Sequence, residues 1–200
     1  AIIYLEPFDE RNRQAFGFDM YQEANRRNAM NQARDTGNPH ISGRITLVQE
    51  IDSDIQAGFL IYVPYYGNGT ETETLQDRRQ NIVGYSYSPF RAGNFVRGVI
   101  GEEGIENISL TILDGTELDN SGELYNDRPL KLESDEQPRF SRSKTIYVAG
   151  RPWTLEFNSS SDFGVTIYSQ LIPLIILGIG GAISILITTI IYTFVSSRQR

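Results

Sequence analysis

The residue with the clearest potential for ligand chemistry is Asp19, a carboxylate set among aromatic side chains. It stands directly before a helical pattern, and Gln22 follows three residues later, which is the spacing of a capping box. A helix N-cap is by itself a sufficient explanation of an aspartate at this position. The alternative is that the carboxylate accepts hydrogen bonds from a ligand whose flat part stacks on Phe16, Phe18 or Tyr21. The residues alone leave both explanations open.

Aromatic surface is also concentrated on two predicted strands, residues 58–66 and 82–88. Their tyrosines are Tyr62, Tyr65, Tyr66, Tyr85 and Tyr87. Packing in a core and lining of a ligand pocket both account for such a cluster. The pattern does not choose between the two.

Catalytic and metal chemistry has little support in the sequence. The chain contains no cysteine and one histidine, which excludes a thiol nucleophile, a zinc–thiolate site, a disulfide framework and a multi-histidine metal site. His40 lies near Asp35 and Ser42, but a catalytic triad is defined by geometry and not by closeness in sequence. We therefore predict no catalytic residue, no metal site and no cofactor.

The elements that must position these side chains include one long helix, which the capping pattern predicts between Asp19 and the stop at Gly37. A second helical segment begins at Pro89. Strands are predicted at residues 1–5, 41–49, 58–66, 82–88, 107–113 and 123–125, and loops at 67–81 and 127–138.

Two pairs of these strands are predicted to form antiparallel hairpins. Residues 41–49 pair with 58–66 across a short acidic turn, and 143–148 pair with 152–157 around a glycine. Trp153 in the second hairpin is expected to anchor a second small core. The fold class is therefore α+β with antiparallel sheets.

The charge of the chain is acidic and unevenly distributed. All 25 acidic residues lie at or before Asp162, together with 16 of the 18 cationic ones, so that part carries a formal charge of about −9. Nucleic-acid binding needs a basic footprint, and this composition argues against it.

The apolar run at residues 171–195 contains 25 residues without a charge. A helix of that length reaches roughly 37 Å, enough to cross a hydrocarbon core of about 30 Å with some tilt. Arg198 and Arg200 follow it, and basic residues at the end of a span predict a cytoplasmic C-terminus with the acidic part outside.

Five ordered blocks resemble the CHASE domain, the extracytoplasmic sensory module of bacterial and plant receptors. They read YLEPFDERNRQAFGFDM, RRNAMNQARDTG, SGRITLVQE, QAGFLIYVPYY and VGYSYSPFRAGNF, and they span about residues 3–95. The resemblance implies a stalk helix followed by two PAS-like subdomains, held between two membrane helices and ending in a cytoplasmic histidine kinase or cyclase. It also implies a homodimer. The stalk and first membrane helix would lie before residue 1, so we expect this chain to be a piece of a longer receptor.

The resemblance also implies a ligand site. In plant cytokinin receptors, an aspartate in the block similar to GFDM reads an adenine ring, and Asp19 matches that position. The strand positions similar to the pocket lining there are Ile41, Phe59, Ile61, Tyr62, Tyr85 and Tyr87. The resemblance therefore implies a similar ligand pocket in this chain, with a flat heterocycle as one ligand class. Because Tyr85 and Tyr87 are large, we do not extend it to the cytokinin hormone itself.

These observations predict a membrane-distal PAS-like ligand-binding subdomain at residues 1–100, a membrane-proximal PAS-like subdomain at 101–165, a transmembrane helix at 166–196 and a cytoplasmic stub at 197–200. The predicted function is a small-molecule sensor in the inner cell membrane, without enzyme activity of its own. The rival is a membrane-anchored adhesion or protein-interaction domain that needs no pocket. An extracytoplasmic hydrolase ranks third, because the residues for it are missing.

Overall fold

The structure, a computed structural model, describes residues 1–50, 55–102, 104–116, 122–127, 137–161, 163–164 and 167–198, with the backbone alone for 167–170. It is an α+β protein with two antiparallel sheets and one long apolar helix at its C-terminal end. Contacts along the chain group it into two compact units, Ala1–Ser161 and Asp162–Arg200.

The helices of the first unit are short except for one. They are α1 (Glu10–Arg13), α2 (Ala24–Thr36), α3 (Leu75–Asn81) and α4 (Ala92–Ile100). Helix α2 ends at Gly37, whose φ of 75° and N–H bond to the carbonyl of Ala33 form a left-handed cap. The buried residues of α2 are Arg26, Ala29 and Ala33, and small alanines let the helix lie close to the sheet.

The first sheet has the order β1–β2–β3, formed by β1 (His40–Ile41), β2 (Gly58–Tyr66) and β3 (Ile82–Arg91). All pairs are antiparallel, with Ile41 opposite Ile61 and Tyr62 opposite Tyr87. The first half of β2 is buried on both faces and its second half emerges into solvent.

The second sheet has the order β5–β4–β7–β6, formed by β4 (Ile108–Asp114), β5 (Glu123–Asn126), β6 (Ser141–Val148) and β7 (Arg151–Ser159). The predicted hairpin around Gly150 is confirmed, with Val148 opposite Arg151. Trp153 is buried in β7, as the sequence predicted.

Two apolar clusters hold this unit together. The first, on the α2 side of the first sheet, includes Met20, Ala29, Ala33 and Tyr62. The second draws on both sheets: Ile41, Phe59, Ala92 and Val96 meet Leu110, Ile112, Leu124 and Trp153. The core around Trp153 is therefore shared between the sheets. The predicted division into subdomains at residue 100 stays a prediction.

The prediction that Asp19 caps the long helix is wrong. Helix α2 begins at Ala24, and its N-cap is Glu23, whose carboxylate accepts the N–H groups of Asn25 and Arg26, each at 3.0 Å. Met20 is buried in the core, so the chain turns between Asp19 and Glu23 before the helix starts. The helix therefore begins five residues after Asp19, and Glu23 takes the capping role.

The strand predicted at residues 41–49 is also much shorter in the structure. It ends at Ile41 and continues only as an isolated bridge between Ile45 and Gly58. The hydroxyl of Ser42 accepts a hydrogen bond from the N–H of Leu60 at 2.9 Å, so a side-chain hydrogen bond continues the contact with β2 beyond the end of β1. Residues 51–54 of the predicted turn lie outside the described residues.

Three further local predictions need correction. Residues 1–5 form no strand; instead Ile2 exchanges backbone hydrogen bonds with Gly17 and Phe18. Strand β3 continues through Pro89 to Arg91, and α4 starts only at Ala92. The predicted loop at 67–81 contains α3, which Thr74 and Asp77 cap reciprocally. Most of the predicted loop at 127–138 lies outside the described residues.

The second unit contains α5 (Ile167–Arg198), a helix of 32 residues that includes the predicted span. Its segment Leu171–Arg198 is long and apolar enough to cross a membrane by length and composition. The hydroxyls of Ser184, Thr188 and Thr189 each donate to a carbonyl four residues earlier, so these three polar side chains are satisfied within the helix.

Candidate functional site

The seven residues predicted for the ligand site do not lie on one surface. Successive side chains of a strand point to opposite faces. On β2, Phe59 and Ile61 therefore join the cluster shared by the two sheets, while Tyr62 joins the cluster beneath α2. Ile41 lies with Phe59, whereas Tyr85 and Tyr87 lie with Tyr62. The predicted set is thus divided by the sheet.

The cluster on the shared side is densely packed with rings. Phe59 stacks on Phe90 at 5.2 Å and meets the edges of Phe95 at 5.4 Å and Trp153 at 5.1 Å between ring centroids. Ile41 and Ile61 pack against the same cluster. The structure gives these three predicted site residues a core environment, in which aromatic pairs of this kind stabilise the packing.

The other three predicted strand residues form what we call the tyrosine face, made of Tyr62, Tyr85 and Tyr87 beneath α2. The ring of Tyr62 lies 6.2 Å from each of its two neighbours, measured between centroids. Its hydroxyl donates to the sulfur of Met20 at 3.5 Å. Burial raises the pKa of Tyr62 far above its usual range, so this phenol stays protonated and serves as a donor, not as a base.

A guanidinium is buried beside the tyrosine face. Arg26 of α2 is only 4% exposed; it donates to the carbonyl of Thr46 at 3.1 Å and to the sulfur of Met20 at 3.7 Å. Its guanidinium carbon lies 4.8 Å from the ring centroid of Phe18. Nε of Arg26 makes no hydrogen bond within the described part of the chain, and Glu23 is 3.8 Å away with its oxygens used in the helix cap. The guanidinium is therefore ion-paired with Glu23, but its Nε lacks a hydrogen-bond acceptor in the described residues.

The hydroxyl of Tyr87 is a second buried polar group without a hydrogen-bond partner in the described residues. Burial raises the pKa of this phenol, and the nearby positive charge of Arg26 opposes the shift. An unmade hydrogen bond at a buried donor costs about 1–3 kcal/mol. Arg26 and Tyr87 therefore each have one buried polar atom without a hydrogen-bond partner in the described residues.

Asp19 lies in the turn before α2, and its role as a direct ligand contact stays a prediction. Its carboxylate accepts the N–H of Tyr21 at 3.0 Å and closes a turn. In the described structure this is the one hydrogen bond of the carboxylate, and Met20 links this turn to the tyrosine face. The side chain is half-buried. Local turn geometry thus explains Asp19 without a ligand.

A groove that the sequence did not predict lies where β3 ends. It encloses about 560 Å³ between α1, the segment at Leu47–Glu50, the end of β3 and α4. Its lining includes Leu47, Gln49, Phe90, Phe95 and Val99, and none of the seven predicted residues. No sequence pattern marks it, because its lining comes from three parts of the chain, residues 11–12, 47–50 and 89–99, that are far apart in sequence.

Metal binding has no site among the residues that the structure describes, since no three acidic or histidine side chains converge there. The tyrosine phenols with raised pKa values are poor nucleophiles near neutral pH. The arrangement is suited to binding a polar oxygen next to aromatic rings.

A family model described as the CHASE domain matches residues 1–125. A search of curated proteins found no matching protein.

Proposed function

Because this chain belongs to the CHASE domain family, a sensory domain family of receptors, we propose that it is the extracytoplasmic small-molecule sensor of a transmembrane receptor. The matched residues 1–125 cover both the tyrosine face and the groove. The apolar helix α5 fits a membrane-anchored sensor. Catalysis is assigned to none of its residues.

One observation carries the ligand proposal: two buried donors, Nε of Arg26 and the hydroxyl of Tyr87, are left without acceptors on the same side of the sheet. Buried polar groups are normally hydrogen-bonded, and exceptions need a reason. A small molecule with a carboxylate or carbonyl oxygen supplies that reason. Its flat part, such as a heterocycle, would lie against Tyr62 and Tyr85, with Asp19 at the edge of the site.

The proposed topology gives a route by which ligand binding is transmitted across the membrane. We place PAS-like subdomains at residues 1–100 and 101–165, a span at 166–196 and a cytoplasmic stub at 197–200, in a homodimer whose output domain is a histidine kinase or cyclase. Basic residues at the C-terminal end of the span support a cytoplasmic location for that end in the inner membrane. A ligand shifts such a receptor only if it binds its two arrangements with different affinity.

The acidic composition argues that the partners are not nucleic acids.

A second candidate function is that of a membrane-anchored adhesion or interaction domain. It is favoured by exposed apolar side chains near the N-terminus: the rings of Phe8 and Phe16 meet edge to face with centroids 5.8 Å apart, and Ile3 and Tyr4 are also exposed. Such a patch marks interaction sites in many proteins.

A thermal-shift screen of the chain in detergent micelles tests the sensor proposal. The probes are adenine derivatives, amino acids and small organic acids, each assayed with wild type, Tyr87→Phe and Asp19→Ala. A ligand at about 100 times its Kd adds roughly 2.7 kcal/mol of stability. We expect a compound to stabilise wild type and to stabilise Tyr87→Phe less.

The matched control is Tyr65→Phe, which removes an exposed hydroxyl from the neighbouring strand. If a compound stabilises wild type and Tyr87→Phe equally, its binding site does not include the tyrosine face. If no probe shifts any variant, the interaction domain becomes the better proposal.

A further inference from the structure

The groove at the end of β3 has the dimensions of a small-molecule site. Its volume of about 560 Å³ falls within the roughly 300–1,000 Å³ usual for ligand pockets. Its walls come from α1, the Leu47–Glu50 segment, β3 and α4, so it is built by the fold of the first unit. The three rings of the tyrosine face do not line it.

The inner surface of the groove is largely apolar. Leu47 is buried in the cluster beneath α2, and the half-buried rings of Phe90 and Phe95 pack against the shared cluster. Val99 is mostly exposed at the rim. At Gly98 of α4 an added Cβ would meet no atom within 4 Å, which shows open space above the helix. Apolar side chains around open space favour an apolar body in the ligand.

One polar group in this lining lacks a partner. Gln49 is only 6% exposed, and its amide nitrogen Nε2 makes no hydrogen bond within the described part of the chain. An amide nitrogen has two donors and no acceptor. A group placed against it must therefore offer an acceptor oxygen, as a carbonyl does.

The charged groups of the groove are already compensated. The carboxylate of Glu50, whose side chain is 3% exposed, accepts two hydrogen bonds from Arg91, at 2.9 and 3.1 Å. Arg11 also lines the groove and has a partner of its own. A charged ligand would disturb this pairing at a desolvation cost, whereas a neutral one leaves it intact.

We propose that this groove is a second binding site, for a small uncharged molecule with an aliphatic or aromatic body and a carbonyl group. The carbonyl oxygen accepts from Nε2 of Gln49, and the body lies against Leu47, Phe90 and Phe95. The site does not depend on the tyrosine face or on the sensor proposal.

The test uses 4′-fluoroacetanilide, a neutral probe with an aromatic body and an amide carbonyl, observed by fluorine NMR with the full chain in detergent micelles. The variants are Gly98→Leu, which fills the groove from α4, and Gln49→Leu, which removes the donor and keeps the shape. The matched control is Gly84→Leu, at a glycine on β3 that also has nothing within 4 Å and does not line the groove. Thermal melts establish that each variant is folded.

We expect the probe resonance to broaden on binding to wild type and to Gly84→Leu. Gln49→Leu should bind the probe with about tenfold weaker affinity. With Gly98→Leu, the resonance should show only the effect of probe partitioning into the micelles. If Gly98→Leu does not melt cooperatively, Val99→Trp fills the same space from an exposed position. Tyr87→Phe is expected to bind the probe like wild type, which separates this site from the tyrosine face.

Two results would overturn the proposal. Broadening that is equal for wild type and the groove-filling variants places the probe elsewhere, and no broadening with wild type shows that the groove does not take this class of molecule. Equal affinity for wild type and Gln49→Leu would remove the carbonyl contact on which the ligand class depends.

Discussion

Asp114 and Arg151 form a two-point ion pair that joins the end of β4 to the start of β7. Nη2 of Arg151 lies 2.8 Å from Oδ2 of Asp114, and Nε bonds the other oxygen. The same carboxylate accepts the N–H of Arg44 at 2.8 Å, and the Arg44 side chain reaches the carbonyl of Glu123. One buried carboxylate therefore connects the segment after β1 with the second sheet.

Replacing Asp114 by alanine should destabilise the first unit by about 2–3 kcal/mol, because hydrogen bonds to charged groups are lost while Arg151 can still reach water. Urea unfolding in micelles measures this, with the fluorescence of the single tryptophan, Trp153, as a reporter from the adjoining core. The control is Glu102→Ala, whose side chain is 87% exposed in a pair with Arg97. A cost for Asp114→Ala as small as that of the control would show that the pair does not hold the sheets.

Removing the hydroxyl of Tyr87 should leave the unliganded chain as stable as wild type or more stable by up to about 1 kcal/mol, since an unsatisfied buried donor is deleted. Tyr66→Phe is the matched comparison, because the hydroxyl of Tyr66 donates to the carbonyl of Arg34 at 2.7 Å. That variant should lose about 1 kcal/mol. Urea midpoints compare the two, and a clear loss of stability in Tyr87→Phe would mean that its hydroxyl is satisfied.

Asp35 should make the chain sensitive to acid. The guanidinium groups of Arg79 and Arg34 hold the pKa of this carboxyl well below its usual range. A group whose pKa is lowered on folding stabilises the protein above its unfolded pKa of about 4, and this contribution is lost as the pH falls below that value.

Between pH 7 and pH 3, wild type should therefore lose more stability than Asp35→Asn, by roughly 1 kcal/mol after allowance for the exposure of Arg79. Denaturant midpoints at the two pH values give this difference. Glu102→Gln serves as the control and should follow wild type. An identical acid loss in wild type and Asp35→Asn would exclude this network as its origin.

Gly150 lies against His40, and this contact should make it intolerant of any side chain. Its φ is 79°, and an added Cβ would lie 2.2 Å from Cε1 of His40. Gly150→Ala therefore incurs both the left-handed backbone cost of about 1–2 kcal/mol and an overpacking cost of about 1–3 kcal/mol.

Gly69 has nearly the same φ, 74°, with nothing within 4 Å of an added Cβ. Gly69→Ala should show the backbone cost alone, and the difference between the two variants in urea unfolding measures the contact with His40. Equal costs would mean that the turn moves freely away from His40.

The elements that the sequence predicted well are those whose signal is local and continuous. The run at 171–195 predicts a helix because no charged residue interrupts it over 25 positions, and α5 contains it. The hairpin of β6 and β7 follows from two β-rich runs around a glycine. The capping box of Thr74 and Asp77, at the start of α3, is a local signal of the same kind.

The tertiary structure alone decided how the candidate site is divided. An alternating strand pattern tells that Phe59 and Tyr62 face opposite ways, but not which face meets α2 and which meets the second sheet, since both faces of this half of β2 are buried. The N-cap of α2 is Glu23 and not Asp19, and Met20 between them is buried in the core. The donors of Arg26, Tyr87 and Gln49 that lack partners in the described residues are buried only because segments distant in sequence pack around them. Burial without a partner depends on this packing, so the sequence alone could not predict it.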